Sequence, residues 1–412
     1  MWLKIFKYIL FIILFFQAVE CREAQERGMP VFLSNPYLNA LILDYDHYVD
    51  KALSDGLTPG VAVAIVYDTS VVFIKGYGTK VYGLNDSIDI HSVFRLGSVS
   101  KGFASFLTGL LVQEGVLNWD DKVVKYLPDF SLKSKEPTCQ LSIRNVLSHT
   151  TGLPYHSYTN LIEEGWKLPD MIHALKDVEV IGPVGTIYSY QNVAYSIIEE
   201  VLKSVTGLSY VSLMKEHVFR PMKMSDASMS YKEIVNEKDF TKPHFKYKGT
   251  WKPQKIHDTY YNASPAGGVN ASITDMAQYL RALLGNNPEV IADSTLSTLF
   301  TPEIRTSRYK YLGNWKHLKK AYYGLGWRVF ETVEDTIIYH GGYVNGYRSE
   351  IALIPDKKVG ICVLTNASNR FSSKSLPEFF DKFSYWYDSI DSWQKRNTNP
   401  YYVIKRNNGM VE

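Results

Sequence analysis

Apolar residues recur at helical spacing across positions 38–53, at Leu41, Ile42, Tyr45, Val49 and Leu53, which predicts an amphipathic helix. The period then shortens to two. Residues 61–67 and 70–76 are rich in β-branched and aromatic types and break at Asp68-Thr69, the pattern of a two-strand hairpin. Residues 98–114 return to helical spacing, with Phe103, Phe106, Leu107, Leu110 and Leu111 on one side, and Gly115 stands where a left-handed residue ends a helix. From 119 to 284 helices and loops prevail. Residues 192–206 carry Ile197, Ile198, Val201, Leu202 and Val205, with Gly207 just beyond. Ser272-Ile273-Thr274-Asp275 opens a further helix with a capping-box pattern that stops at Gly285.

The last third reverts to strands, at 326–331, 336–340, 347–354 and 358–365, with Pro355-Asp356 as a turn. An aromatic-rich segment at 377–389 predicts a closing helix, and the chain from Gln394 onward is polar and expected to fray. The predicted fold class is therefore α/β (α+β): an antiparallel sheet drawn from both ends of the chain and flanked by the N- and C-terminal helices. A mostly helical subdomain at about 119–285 packs beside it, leaving a cleft between the two parts. One domain spans 34–390, followed by a polar tail at 391–412.

Residues 1–21 are set apart. Two lysines precede the apolar run 8–16, which is shorter than the about 20 residues that span a bilayer, so a cleaved secretory signal is expected, with an uncleaved membrane anchor as the alternative. Export to a periplasmic or extracellular location follows. Glu20 ahead of Cys21 is not the small residue that lipoprotein processing prefers. Of the other cysteines, Cys362 lies in a strand-like apolar run and reads as a packed thiol, and Cys139 demands no disulfide. The formal charge of +3 on 412 residues, without a basic block, argues against nucleic acid and leaves a small molecule or peptide as the expected partner; oligomeric state is not readable.

The chemistry-bearing pattern is Ser98-Val99-Ser100-Lys101. On a helix, positions i and i+3 share a face, so Lys101 lies one turn from the Ser98 hydroxyl, and a desolvated lysine can take the proton that makes a serine nucleophilic. The helix N-terminus adds free N–H groups that favour an oxyanion. The spacing alone is weak, since Ser307 with Lys310 and Ser392 with Lys395 repeat it in polar segments that read as solvated surface. No Gly-x-Ser-x-Gly elbow, zinc-spaced cluster or phosphate loop occurs, so neither a metal nor a cofactor is expected.

The run from Phe94 to Lys101 resembles the active-site signature of the serine β-lactamase and penicillin-binding-protein superfamily, in particular class C β-lactamases and the related esterases and D,D-peptidases. Further segments are similar to that family in the same order: Leu147 with His149 and Gly152-Leu153-Pro154, Tyr190-Gln191-Asn192, Pro265-Ala266-Gly267-Gly268, Tyr323-Gly324-Leu325-Gly326-Trp327, and His340-Gly341-Gly342. The resemblance covers about residues 38–389. It implies a serine hydrolase acting through an acyl-enzyme on an ester, amide or β-lactam carbonyl, with Ser98 as nucleophile, Lys101 as base and Tyr190 as proton relay. It also implies that Asn192 holds a substrate amide or Lys101, with a helix cap as its alternative. Gly342 and His340 would meet the substrate, and the backbone N–H groups of Ser98 and Tyr343 would form the oxyanion hole. His340 stands where β-lactamases usually carry lysine, so a weaker pull on substrate carboxylates and poorer β-lactam turnover are expected. His149 reads as a structural loop histidine. A catalytically inactive scaffold or receptor is the alternative from a different class, set against the presence of Ser98, Lys101 and Tyr190.

Overall fold

The strand β1 (Gly60–Tyr67) is buried from end to end, and its period of two deals side chains to two separate cores. Val61, Val63 and Ile65 enter one; Ala62, Ala64 and Val66 enter the other. A strand covered on both faces requires layers on both sides, and the computed structural model, which describes residues 34–309 and 311–398, has them. The segment 1–21 with Cys21, the lead-in to 33, Lys310 and the tail beyond 398 lie outside the described residues.

The sheet has eight antiparallel strands. After β1 come β2 (Ser70–Gly78), β3 (Ile304–Thr306), β4 (Lys320–Tyr323), β5 (Arg328–Glu331), β6 (Thr336–Val344), β7 (Tyr347–Ile354) and β8 (Val359–Thr365). Their order is β2-β1-β8-β7-β6-β5-β4-β3, so the N-terminal hairpin docks on the last strand, with Ala64 opposite Cys362. Cys362 is a fully buried, free thiol, as its apolar run predicts.

One face is covered by α1 (Pro36–Ser54) and a helix from the other end of the chain, Arg370–Thr398. Tyr45 meets Phe379 edge-on at 5.3 Å, and its hydroxyl donates to Ser375 O at 3.1 Å. The other face receives α2 (Ser100–Gln113), α3 (Val193–Thr206) and α4 (Ile273–Leu283); the Arg370–Thr398 helix that pairs with α1 is α5. The capping box of α4 forms between Ser272 and Asp275, and Gly115, Gly207 and Gly285 all take positive φ at helix ends.

Three expectations change. The closing helix starts at Arg370 rather than 377 because Asn369 and Ser372 exchange backbone–side-chain hydrogen bonds, capping it seven residues ahead of Pro377. It runs on to Thr398, so Gln394 and Ser392 are helical and part of the expected polar tail is ordered; Lys395 pairs with Asp391 at 2.7 Å, on the surface. Strand β6 continues past 340 to Val344, because Asn345 and Gly346 both adopt positive φ and close a tight hairpin into β7. None of the described helices is long and apolar enough to cross a membrane.

Candidate active site

Ser98 is positioned by a turn. Phe94-Arg95 pairs with Asn270-Ala271, Leu96 N donates to Val269 O, and Gly97 at φ +52 swings the chain into a 3-10 turn, Gly97–Val99, that feeds α2. Any side chain on Gly97 would lie 2.8 to 2.9 Å from the backbone atoms of Tyr343, so glycine is needed both for the conformation and for the close approach to β6. The Ser98 peptide is thus held beside Tyr343, whose ring is exposed at the rim. Ser98 remains half-buried, while Val99, Ser100 and Lys101 are buried.

Lys101 has no solvent exposure. Its Nζ lies 2.8 Å from Asn192 Oδ1, 3.0 Å from Ala266 O and 3.4 Å from Ser98 Oγ. Burial, and secondarily the charge of Arg328, push the amine well below the ordinary lysine range. A neutral amine has two N–H groups and one lone pair. The two carbonyl oxygens can only accept, so they take the N–H groups, and the lone pair is left for the one neighbour with a proton to give, the Ser98 hydroxyl.

Tyr190 and Asn192 precede α3. The Tyr190 ring is nearly buried, with Lys101 Nζ 4.7 Å from its centroid and the His149 ring at 4.3 Å. Asn192 occupies the cap position of α3 without a side-chain capping bond, because its oxygen is spent on Lys101. His149 is buried at φ +58 and accepts from Gln191 N at 3.2 Å, the backbone tie expected of it. Burial drives its pKa well down, so it is neutral.

The two residues expected to meet substrate, His340 and Gly342, are both packed against protein. His340 is fully buried. Its Nδ1 is 3.0 Å from Gly341 O, which can only accept, so Nδ1 carries the proton and Nε2 accepts from the Tyr323 hydroxyl at 3.1 Å. Both nitrogens are occupied, with Nε2 supporting the Tyr323 hydroxyl, and burial, followed by Arg328, holds the ring neutral. Gly342 lies against the nucleophile turn: a Cβ there would sit 1.9 Å from Leu96 O, the carbonyl just ahead of that turn.

Sequence reasoning missed two participants. The Ala266 carbonyl holds Lys101, and the Pro265-Ala266-Gly267-Gly268 stretch was its only signal. Arg328, at the head of β5, packs its guanidinium over Tyr190 at 5.3 Å, Tyr323 at 5.4 Å and Tyr311 at 5.6 Å, and donates to Tyr188 Oη at 3.2 Å. An arginine following Gly326-Trp327 inside an apolar strand was the available clue. A cavity of about 250 Å³ between Trp315, Phe380 and Phe383 belongs to the core on the opposite face of the sheet and has no part in this constellation.

Among proteins of known name, the chain is 26% identical over 351 residues to the unguisins hydrolase ungD of Aspergillus violaceofuscus, covering 79% of this chain and 61% of that protein. It is 27% identical over 356 residues to Beta-lactamase-like protein 4 of Dictyostelium discoideum, covering 80% of this chain and 60% of the relative. The chain therefore spans about six tenths of the length of these relatives. Among solved structures it resembles the octameric penicillin-binding protein homologue from Pyrococcus abyssi, with a TM-score of 0.71 at 22% identity over 84% of this chain and 77% of the other. EstCE1, described as a hydrolase with promiscuous acyltransferase activity, gives a TM-score of 0.71 at 17% identity over 84% and 98%. At these identities the structural likeness establishes the fold. The Beta-lactamase family model matches residues 46–378, and with that span and this fold the chain belongs to the Beta-lactamase family.

Proposed function

We propose that the chain is a serine hydrolase that forms an acyl-enzyme on an ester, amide or β-lactam carbonyl. The observation that carries this is the buried Lys101 Nζ, held by two carbonyl acceptors and placed 3.4 Å from Ser98 Oγ. Lys101 takes the hydroxyl proton as Oγ bonds to the carbonyl carbon, and the tetrahedral oxyanion is received by the N–H groups of Ser98 and Tyr343, each donor worth roughly 3 kcal/mol. Tyr190 passes the proton to the leaving group as its bond to carbon breaks. Water then attacks the ester, gives up its proton to the same base, and releases the acid with Ser98 restored. The names of the unguisins hydrolase and of EstCE1 fit hydrolytic acyl chemistry on this fold.

A fluorophosphonate probe tests the proposal. Wild-type protein is expected to gain one adduct, mapped by digestion to Ser98, and Ser98→Ala to gain none. Labelling that survives Ser98→Ala removes Ser98 from the chemistry, and absence of any labelling favours an inactive scaffold of the same fold.

A further inference from the structure

Arg328 has no carboxylate partner among the described residues. Among the described residues it donates to the Tyr188 hydroxyl and packs against the faces of Tyr190, Tyr311 and Tyr323. Burying even part of a guanidinium without a counter-ion is costly, so such groups are usually paired. The side chain is partly exposed, and none of its nitrogens is both sealed and unpartnered, so the donors left over retain contact with solvent beside the tyrosine rings. Five N–H groups in a planar fork, with one engaged, leave a two-pronged site for a carboxylate. The groups electrostatically felt at Lys101, His149 and His340 are other cations and histidines, with no acid among them. The two histidines are neutral, and Arg348, the other arginine felt at His340, is paired with Glu350, so of these two arginines Arg328 is the one without an ion pair among the described residues, and a field of that sign draws anions.

We propose that Arg328 is the anion-recognising residue of this site, so that preferred substrates carry a carboxylate or similar anion within reach of its guanidinium. The proposal rests on the serine-hydrolase reading above and gives it a substrate class. Arg328 thereby supplies, from β5, the permanent charge that His340 on β6 does not.

The test compares 3-acetoxybenzoate with its neutral methyl ester, two acetyl esters that differ only in one carboxylate. Wild-type protein is expected to favour the anion in kcat/KM, with the preference shrinking as salt is added. The ratio of the two kcat/KM values is expected to fall ~10–100-fold in Arg328→Gln, with Arg328→Lys between, since lysine keeps the charge and loses the fork. A ratio unchanged within about twofold in an Arg328→Gln protein that still labels at Ser98 overturns the proposal. If Arg328→Gln does not fold, the wild type decides: free 3-hydroxybenzoate should inhibit neutral-ester hydrolysis competitively at low salt, and neither inhibition nor charge preference would overturn it. Absence of a Ser98 adduct in the wild type, by contrast, sinks the hydrolase reading itself.

Discussion

The Lys101 amine shows how three neighbours specify a protonation state. Asn192 Oδ1 and Ala266 O accept, Ser98 Oγ can give, and burial makes the charged form expensive. The groups facing Nζ are Ser98, Asn192, the Ala266 carbonyl and the rings of Tyr190 and Tyr195, with Arg328, His149 and His340 further out. A base must be unprotonated to act, so acylation should rise with pH through the Lys101 titration and reach its plateau well below the ordinary lysine value of 10.5. Removing the Arg328 charge relieves a repulsion on the ammonium and moves that ascending limb to higher pH. Lys101→Met should abolish the limb and lower kcat/KM by ~10²–10⁴-fold while the protein still unfolds cooperatively; kinetics that stay unchanged across pH remove Lys101 from the mechanism. Ser98, Lys101, Tyr190 and Asn192 were legible because each lies in a local motif. Arg328 was not, since its role depends on tyrosines at 188, 190, 311 and 323 that only folding brings around it. The burial of His340 was not legible either, for the related reason that a strand position does not reveal how deep a side chain lies.

At the scale of elements, the nucleophile turn and β6 behave as one unit. Gly97 lies against Tyr343, and Gly342 against Leu96 O. Two glycines let two backbones approach more closely than any side chain permits, and that approach sets Ser98 beside its proposed oxyanion donor. Gly342→Ala should therefore destabilise the fold by about 1–3 kcal/mol through overpacking and slow fluorophosphonate labelling by about 10²-fold by displacing the turn. Thermal unfolding and labelling rates measure the two effects separately; a stable variant that labels at the wild-type rate would show that β6 does not position Ser98. The extension of α5 back to Arg370 was readable in principle from Asn369 and Ser372, a cap overshadowed by the Pro377 signal. The turn at Asn345-Gly346 was readable too. Strands β3 and β4 were not, because three or four residues contain too few alternations to establish a period.

The whole molecule divides its labour between the two faces of the sheet. The core shared by α1, α5 and the sheet carries stability, and the core shared with α2, α3 and α4 carries the constellation around Ser98. Phe379 has no exposure and packs on Tyr45, Phe380 and Phe383 in the first of these. Phe379→Ala should cost about 3–5 kcal/mol in urea unfolding, yet leave kcat/KM near the wild-type value at temperatures where the protein stays folded. A loss of activity in step with stability would mean that the faces are not separable.

By itself the sequence determined the longer helices and strands, because residue periods of 3.6 and 2 are local properties of the chain. It also determined the serine–lysine pair, because three residues on a helix are a fixed turn apart. Tertiary structure alone decided which charges face the cleft. The distance between Lys101 and Ala266, the closure of tyrosines around Arg328 and the burial of His340 depend on contacts between segments far apart in the chain, and electrostatic energies follow those distances and that desolvation rather than position along the sequence.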